Sequence, residues 1–380
     1  MPRSRLRPHR RRTAVLLAAG LLVGTTGCRS DGAGGSTVDP ARAGSSIEEL
    51  LRLVPLTDAN AAHVLVSLYD VAADAVHLDR LDASADARAE LDRLVELTMG
   101  TEHPVMVNLP ELVGGQRANQ QIGRLGFQPS DLIAEVEAGR PPSMTTIGIG
   151  TFDEDEVLDR AAEVTGARRS DVEGTEVVAW LDDLEIDPTL DPPLGRVPGQ
   201  AGRVALPADD VLVHTTEDAT MAGTIGTVGG DGPSLADDEG LRLVAEHLDE
   251  AGAYAAFLSS EAVTAASAPG GTETPSSGED APEPLLAYEA FGVAGAVRDD
   301  RPELVVVLVH EDDEEATANA ARLERVVADG VDPQSRRPWA DLLADADLTT
   351  DGPVVVARFV TERPMWASLF AAGSPLLATG

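Results

Sequence analysis

Lysine is absent from this sequence of 380 residues, so its 29 basic residues are all arginines, and 65 acidic residues outnumber them. The formal charge is −36 at pH 7. Nucleic-acid binding depends on clustered Lys and Arg that neutralise phosphates, and nonspecific attraction to anionic lipids depends on similar clusters. The composition therefore argues against both kinds of partner.

Cysteine occurs once, at Cys28, and aromatic residues make up 3% of the chain. A single cysteine rules out an intramolecular disulfide. Receptors for sugars and peptides usually stack their ligands on Trp and Tyr, and the only tryptophans here are Trp180, Trp339 and Trp366. Trp180 and Trp366 border apolar segments, so we expect both in the core. Trp339 follows a basic pair at 336–337, where a contact site and a capped loop are both open.

Signatures of catalysis and of metal binding are also absent. The chain has no Gly-x-Ser-x-Gly elbow, and a Ser-x-x-Lys motif needs a lysine. The string that starts at His310 lacks the second histidine of a zinc-protease motif, and the glycine-rich stretch 223–232 fits neither the Rossmann nor the P-loop spacing. We therefore predict no catalytic residue, no metal and no cofactor. A triad assembled from distant residues is left open.

The N-terminus has the pattern of an export leader. Six arginines between positions 3 and 12 precede an apolar run at 13–26, which at about 14 residues is shorter than the roughly 20 that a helix needs to span a bilayer. We predict a signal peptide at 1–27. Its removal takes six arginines away, so the formal charge falls from −36 to −42.

The end of the leader, Val-Gly-Thr-Thr-Gly-Cys at 23–28, resembles the lipobox of bacterial lipoproteins, in which small residues precede a cysteine that is lipidated. Thr25 departs from the pattern, which usually has Leu or Val there. The resemblance implies that Cys28 carries diacylglycerol and palmitate and holds the protein at the extracytoplasmic face of the cell membrane. Stable anchoring requires two or more acyl chains. The alternative is an ordinary signal peptide with Cys28 incidental.

Two stretches of low complexity divide the mature chain. Residues 28–45 are rich in Gly, Ser and Ala and predict a flexible tether that places the first folded element about 25 Å from the lipid. Folding is expected to start at Ser46, which forms a capping-box pattern with Glu49. The stretch at about 265–284 has little to bury and predicts a disordered insertion.

The two halves of the mature chain share an order of features. Each is a helix, a strand, a variable middle, a strand, a helix and two further strands. The paired segments are 49–54 with 239–244, 64–68 with 255–259, 145–152 with 303–310, 175–180 with 353–359, and 210–215 with 374–379. The sequence therefore predicts an α+β fold of two tandem, diverged α+β repeats, 46–216 and 234–380, joined by a linker at 217–233. Each repeat is expected to have a mainly antiparallel or mixed sheet with packed helices, and Val-rich strands at 305–309 and 354–356 in the sheet interior.

This order also resembles that of uncharacterised duplicated α+β lipoproteins of high-GC bacteria, in which a strand ending in Gly-x-Phe-Asp precedes a helix. The matching residues are Gly150, Phe152 and Asp153. The resemblance implies a lipoprotein of the cell envelope and carries no known activity.

Two acidic clusters, 153–156 and 311–315, lie where a predicted strand passes into a helix. Carboxylates at this position cap free amides and favour the positive end of the helix dipole. An EF-hand loop needs a glycine and a closing glutamate at fixed spacing, which neither cluster has. We expect helix capping rather than calcium binding.

These features together predict an exported, lipid-anchored cell-envelope protein with a non-catalytic binding or interaction role. Its partner would be an envelope protein or a small ligand. Two alternatives are a carrier that holds a small or lipidic ligand between the halves and an envelope enzyme with an unrecognised site.

Overall fold

A computed structural model describes residues 43–78, 87–99, 103–108, 111–113, 124–195, 197, 199–263, 283–332, 335–371 and 376–379. They belong to one compact unit that spans 35–380. The predicted signal peptide, Cys28, the tether up to residue 42 and the insertion from 265 to 282 lie outside the described residues, so the predictions for them stay predictions.

The strands form one antiparallel sheet, which confirms an α+β fold with an antiparallel sheet. They are β1 (Val64–Leu68), β2 (Leu132–Arg140), β3 (Ser143–Gly150), β4 (Arg168–Val172), β5 (Thr175–Trp180), β6 (Gly202–Ala208), β7 (Val211–Thr215), β8 (Ala255–Ser259), β9 (Ala290–Arg298), β10 (Arg301–Val309), β11 (Ala344–Asp351) and β12 (Val354–Val360). Their order across the 12-stranded sheet is β11-β12-β10-β9-β8-β1-β2-β3-β7-β6-β5-β4.

Both halves of the chain build this sheet. β1 pairs with β8, with Val64 opposite Leu258 and Ser67 opposite Ala255. These strands are the paired segments 64–68 and 255–259, and the fold places them side by side at the centre. We expected a sheet in each repeat, and instead the two sets of strands are hydrogen-bonded into one.

Helices cover both faces of the sheet. They are α1 (Ile47–Leu51), α2 (Asp58–Ala61), α3 (Tyr69–Ala75), α4 (Ala87–Met99), α5 (Glu154–Ala162), α6 (Asp218–Val228), α7 (Glu239–Glu250), α8 (Asp313–Asp329), α9 (Trp339–Leu342) and α10 (Trp366–Ala371). Apolar side chains of α1, α6 and α7 form a core with one face, and those of α3, α4, α5, α8, α9 and α10 form a second core with the other. Strands buried on both faces need apolar residues at nearly every position, which explains the valine run in β10.

Most of the paired features of the two halves become matching elements. In both halves a helix precedes the central strand, a β-hairpin follows it, and a helix follows the hairpin. β10 and β12 have neighbours on both sides, as predicted. The last two pairings fail. β12 lies beside β10 as β7 lies beside β3, so 353–359 matches β7 rather than 175–180. Val211–Thr215 is an interior strand, whereas 376–379 contributes only an isolated bridge between Leu285 and Thr379.

The segment 217–233 does connect the halves, but it does so through helix α6. Met221, Ile225 and Val228 recur at helical spacing and are buried against the sheet. The glycines at 223 and 226 made this segment look like a linker. Packing of the apolar face outweighs the cost of roughly 1 kcal/mol for each glycine inside a helix.

The chain enters the fold at α1. The hydroxyl of Ser46 accepts a hydrogen bond from the amide of Glu49, as the capping pattern predicts. Asp249, near the end of α7, accepts hydrogen bonds from the Ser46 hydroxyl (2.8 Å) and from the amides of Ile47 (2.7 Å) and Glu48 (3.1 Å). We call the end of the sheet where α7 ends and β8 begins the entry end, and the other the far end.

Candidate functional site

The predicted lipid-attachment residue, Cys28, precedes the part of the chain that the structure describes. Within that part, no helix is long and apolar enough to cross a membrane. The same residues contain no group of three or more His, Cys, Asp or Glu side chains placed to hold a metal ion.

The acidic clusters cap helices, as predicted. The carboxylate of Asp153 accepts a hydrogen bond from the amide of Glu156 at 3.0 Å, at the start of α5. The carboxylate of Asp312 accepts from the amides of Glu314 and Glu315, both at 2.9 Å, at the start of α8. These contacts are sufficient to explain why the acidic residues lie where they do.

All three tryptophans are buried in the second core. This confirms the prediction for Trp180 and Trp366. Trp339 is also buried, so the contact-site alternative is wrong. Its indole packs beside Gly330, where an added Cβ would lie 3.0 Å from the Trp339 ring, and its amide donates to the Gly330 carbonyl.

His310, which directly follows β10, is buried and makes hydrogen bonds to α8 and to the residue before β12. Its Nδ1 lies 3.0 Å from the carbonyl oxygen of Pro353, and its Nε2 lies 2.7 Å from the amide nitrogen of Asn319. Nδ1–H therefore donates and Nε2 accepts. Burial lowers the pKa of His310. Asn319 also pairs with the backbone N–H and carbonyl of Leu286, so this histidine holds structure together.

β2 carries two buried glutamates, Glu135 and Glu137, which point to the same face of the sheet because they are two residues apart. The carboxylate of Glu135 accepts hydrogen bonds from the amides of Glu111 (2.8 Å) and Leu112 (3.2 Å). The side-chain amide of Asn108 donates to Glu137 at 3.2 Å. The two glutamates thus fasten residues 108 and 111–112 to the centre of the sheet.

Burial, together with the charge of Glu137, raises the pKa of Glu135 well above its ordinary value of 4.5, although its two backbone hydrogen bonds act in the opposite direction. A buried acid with a raised pKa is typical of catalytic sites. Here both carboxyl oxygens are held by backbone amides. Glu135 is therefore better explained as a structural link between β2 and residues 111–112 than as a proton donor to a substrate.

His214 lies in β7, directly opposite Thr146 of β3. Its buried ring stacks on Trp180, with centroids 6.1 Å apart, and its Nε2 has no hydrogen-bond partner among the described residues. Gly202 makes room for both rings, since a Cβ there would lie 2.2 Å from the indole and 2.9 Å from Nε2. Burial and the charge of Arg203 lower the pKa of His214 to about 4. The imidazole is therefore neutral at pH 7.

Arg203 of β6 is 1% exposed, and its guanidinium group donates hydrogen bonds to three partners. Its Nε donates to Asp218 at 2.7 Å, one Nη donates to the Thr216 carbonyl at 3.0 Å, and the other donates to Asp183. The Asp183 carboxylate also accepts the amide of Asp218 at 3.0 Å. Asp183 thereby fastens the chain that follows β5 to the start of α6.

That chain leaves the far end of the sheet between β5 and β6. We call its described residues, 181–195, 197 and 199–201, the β5–β6 excursion. It exposes three large apolar side chains, Leu184, Ile186 and Val197. The exposure of these side chains is not predicted by the sequence. Leu184 and Ile186 alternate with acidic residues, a period-two pattern that predicts a half-buried strand and gives no sign that the side chains stay exposed.

A small cavity lies between α3, α4 and the turn at 129–131. The hydroxyl of Ser130 donates a hydrogen bond to Glu90 at 2.7 Å in its wall. The other lining residues are Tyr69, Arg93, Leu94, Leu97 and Pro129. Its volume of about 10 Å³ is the least that holds one water molecule. This cavity is too small for the carried ligand of the first alternative.

No family model and no curated protein matches the chain. Among solved structures, crystal form I of TP0453 is similar with a TM-score of 0.42 and 11% identity, covering 89% of this chain and 99% of that one. Crystal form III has a TM-score of 0.37 and 10% identity, covering 84% and 95% of the two chains. Crystal form IV has a TM-score of 0.38 and 10% identity, covering 84% of this chain and 96% of that one. Similarity at this level carries no inference about function.

Proposed function

We propose that this protein is exported, anchored through lipid on Cys28 at the extracytoplasmic face of the cell membrane, and acts by binding rather than by catalysis. The observation that carries the proposal is the leader itself. Six arginines, a short apolar run and small residues lead directly to the single cysteine of the chain. A lipid with two or more chains on this residue would hold the protein stably at the bilayer.

The way the chain enters the fold supports the tether. Ala43 is buried, and α1 is pinned by Asp249 from its first turn. Packing therefore begins by Ala43, inside the predicted tether of 28–45. This leaves about 15 residues between Cys28 and the first buried residue. A flexible segment of this length has a root-mean-square reach of about 20 Å, which keeps the folded unit close to the membrane surface.

A binding role is favoured by the use that the fold makes of its buried polar groups. Glu135 ties a crossing segment to the sheet, His310 locks a helix to a strand, and His214 packs as a neutral ring. Each of these side chains has a structural task. Among the described residues, the exposed apolar side chains Leu184, Ile186 and Val197 of the β5–β6 excursion have no such task.

We also propose that the two halves arose by tandem duplication. β1 and β8 are antiparallel neighbours, α1 and α7 cover one face, and α5 and α8 cover the other. A two-fold axis normal to the sheet between β1 and β8 relates elements in this way. In an experimental structure, a rotation of about 180° should superpose β8, β9, β10 and α8 on β1, β2, β3 and α5. Failure of α8 to fall on α5 would refute the proposal.

Mass spectrometry of the protein extracted from its own membrane tests the anchor. The wild type should carry the mass of a diacylglycerol with or without a further acyl chain and should begin at Cys28. The variant Cys28→Ala should carry no lipid mass and should leave the membrane fraction. A Ser36→Ala variant, altered in the tether only, is the matched control and should behave as the wild type.

An unmodified wild-type Cys28 would refute the lipid anchor. Native spectra of the same samples separate the alternatives. A noncovalent small-molecule adduct on the wild type and on Cys28→Ala alike would favour the carrier, and clean spectra would favour a protein partner.

A further inference from the structure

We propose that the contact between the two halves of the chain is a homodimer interface enclosed in one polypeptide, and that a second copy of this chain can take the place of one half. This inference rests on the tandem duplication proposed above and names the partner that the duplicated surface fits. Three features carry it: the symmetry of the strand pairing, contacts that need no covalent connection, and an exposed hinge.

The pairing of β1 with β8 has the symmetry of a two-fold dimer. Its directly opposite pairs include Leu65 with Phe257, Val64 with Leu258 and Val66 with Ala256. A two-fold axis normal to the sheet through the first pair turns each strand into the other, and it turns the second pair into the third. An interface in which the same surface meets itself in this way is that of a symmetric homodimer.

The same register continues on both sides of this axis. Outward through the first half, the directly opposite residues of β1, β2, β3 and β7 are Val66, Val136, Ile147 and Val213. Outward through the second half, the residues at the rotated positions in β8, β9, β10 and β12 are Leu258, Gly292, Val307 and Val356. The apolar side chains of both rows belong to the core that α1, α6 and α7 form. This agreement is what a single axis through Leu65 and Phe257 requires.

Other contacts between the halves are also noncovalent. The amide of Leu235 donates to the carbonyl of Val54 at 2.9 Å, and the indole of Trp366 donates to the carbonyl of Met106 at 2.7 Å. Asp249 of the second half holds the start of α1. The chain has a single cysteine, so no disulfide joins the halves. A second copy offers the same partners, and two chains that exchange halves keep all of these contacts.

One exposed segment makes the covalent connection. Residues 229–232 follow α6, all four are exposed, and three of them are glycines. Gly230 has φ +84° and Gly232 has φ +125°, conformations that glycine adopts without steric cost. A segment with this conformational freedom can change direction and lead the second half to a neighbouring copy.

The balance between the closed chain and the exchanged dimer depends on concentration. Because both forms have the same contacts, their free energies differ by the cost of bringing two chains together and by the conformation of the hinge. Copies anchored at one membrane, as proposed above, are confined to a thin layer, which raises their local concentration and favours the dimer. Each exchanged dimer has two Cys28 residues and therefore two sites for an anchor.

Disulfide trapping between copies tests the exchange. Val66 and Ala256 are directly opposite, and the Cα atoms of such a pair are about 4.5 to 5.5 Å apart, a separation that a disulfide can bridge. Full-length chains with Cys28→Ala and Val66→Cys are unfolded in urea with chains that have Cys28→Ala and Ala256→Cys, and the mixture is refolded and oxidised. We expect a non-reducing gel to show a band at twice the mass of the single chain.

Three controls establish what this band means. Each variant refolded alone should lack it, because residue 66 lies opposite residue 256 in the closed chain and in the exchanged dimer alike. Val95→Cys, at an exposed site on α4, should also give no such band when mixed with Ala256→Cys. Both substitutions, Val66→Cys and Ala256→Cys, in one chain should give a disulfide within that chain, which shows that this pair of cysteines closes.

Shortening the hinge should shift the balance toward the dimer. Deletion of residues 230–232 leaves less chain with which to fold the second half back onto the first, so sedimentation should show a larger dimer fraction than for the wild type. Insertion of a Gly-Ser segment at the same place should lower that fraction. Urea unfolding establishes that both variants are folded.

Absence of the double-mass band from the mixture, with the double variant closed within its own chain, would overturn the proposal. An equally strong band in the Val95→Cys control would also overturn it, because random collisions would then explain the link. Failure of the double variant to close would contradict the register on which the proposal rests. Superposition of the halves in an experimental structure judges the duplication separately, and the lipid mass does so for the anchor.

Discussion

The buried neutral histidine of β7 makes stability depend on pH in a predictable direction. Burial and the charge of Arg203 lower the pKa of His214 from 6.5 to about 4 in the folded protein. The unfolded chain therefore binds more protons than the folded chain between these two pH values. The free energy of unfolding is therefore not reduced by His214 above pH 6.5. It falls progressively as the pH drops from 6.5 toward 4.

The size of the effect follows from the shift. One pKa unit corresponds to about 1.4 kcal/mol, so between pH 7 and pH 5 the titration of His214 should lower the free energy of unfolding by about 2 kcal/mol. The variant His214→Phe keeps an aromatic ring beside Trp180 and removes the titration. Between pH 7 and pH 5 it should lose about 2 kcal/mol less than the wild type, whatever its stability at pH 7.

Urea unfolding at pH 7, 6 and 5 measures this difference, with fluorescence of the three buried tryptophans as the signal. The Cys28→Ala form is the background, so that no lipid interferes. The contributions of other titrating groups to the free energy of unfolding, including those of His310 and Glu135, cancel when variant and wild type are compared at each pH. Thr146→Val changes a buried, non-titrating neighbour and should keep the pH dependence of the wild type.

Parallel pH dependences for the wild type and His214→Phe would refute the reasoning, because they would mean that His214 is not held neutral by the fold. A second variant, His214→Gln, guards against a packing effect specific to phenylalanine. Both variants should give the same reduced slope, since neither side chain takes up a proton in this range.

Three further changes should alter stability in the same urea assay. Glu135→Gln should reduce the loss of stability as the pH rises from 4.5 toward neutral, because the raised pKa of Glu135 favours its neutral form in the fold; an unchanged slope would contradict this. Gly202→Ala should cost about 1 to 3 kcal/mol, since its Cβ would lie 2.2 Å from the Trp180 ring, and a neutral result would show that the ring has room to move. Asp249→Ala should cost about 1 to 3 kcal/mol through loss of its hydrogen bonds to α1, with faster proteolysis near residue 46; Glu250→Ala is its exposed control.

Several local features could be predicted from the sequence because short-range rules govern them. Ser46 and the acidic clusters cap helices, and capping depends on residues three positions apart. The segments 64–68, 175–180 and 255–259 are strands with the predicted limits. Residues near one another in the chain decide these elements, so a pattern in the sequence is sufficient to find them.

The position of a side chain in the fold was harder to predict. Trp339 follows two arginines and is nonetheless buried, because α9 folds back onto the end of α8. Residues 217–233 look like a linker and contain a packed helix. In both cases the deciding contact is a tertiary one with a neighbouring element, Gly330 at the end of α8 for Trp339 and the sheet for α6. The pattern within the segment itself does not show that contact.

The sequence by itself determined the composition of the predicted leader, the acidic charge, the α+β class and the order helix, strand, strand and helix that begins both halves. Only the tertiary structure decided that these elements form one sheet, that Glu135 and His214 are buried with shifted pKa values, and that Leu184 and Ile186 remain exposed. The physical reason is that a periodic pattern shows which residues prefer to be buried. Which ones are buried, and against what, depends on strand pairing and packing between segments far apart in the chain.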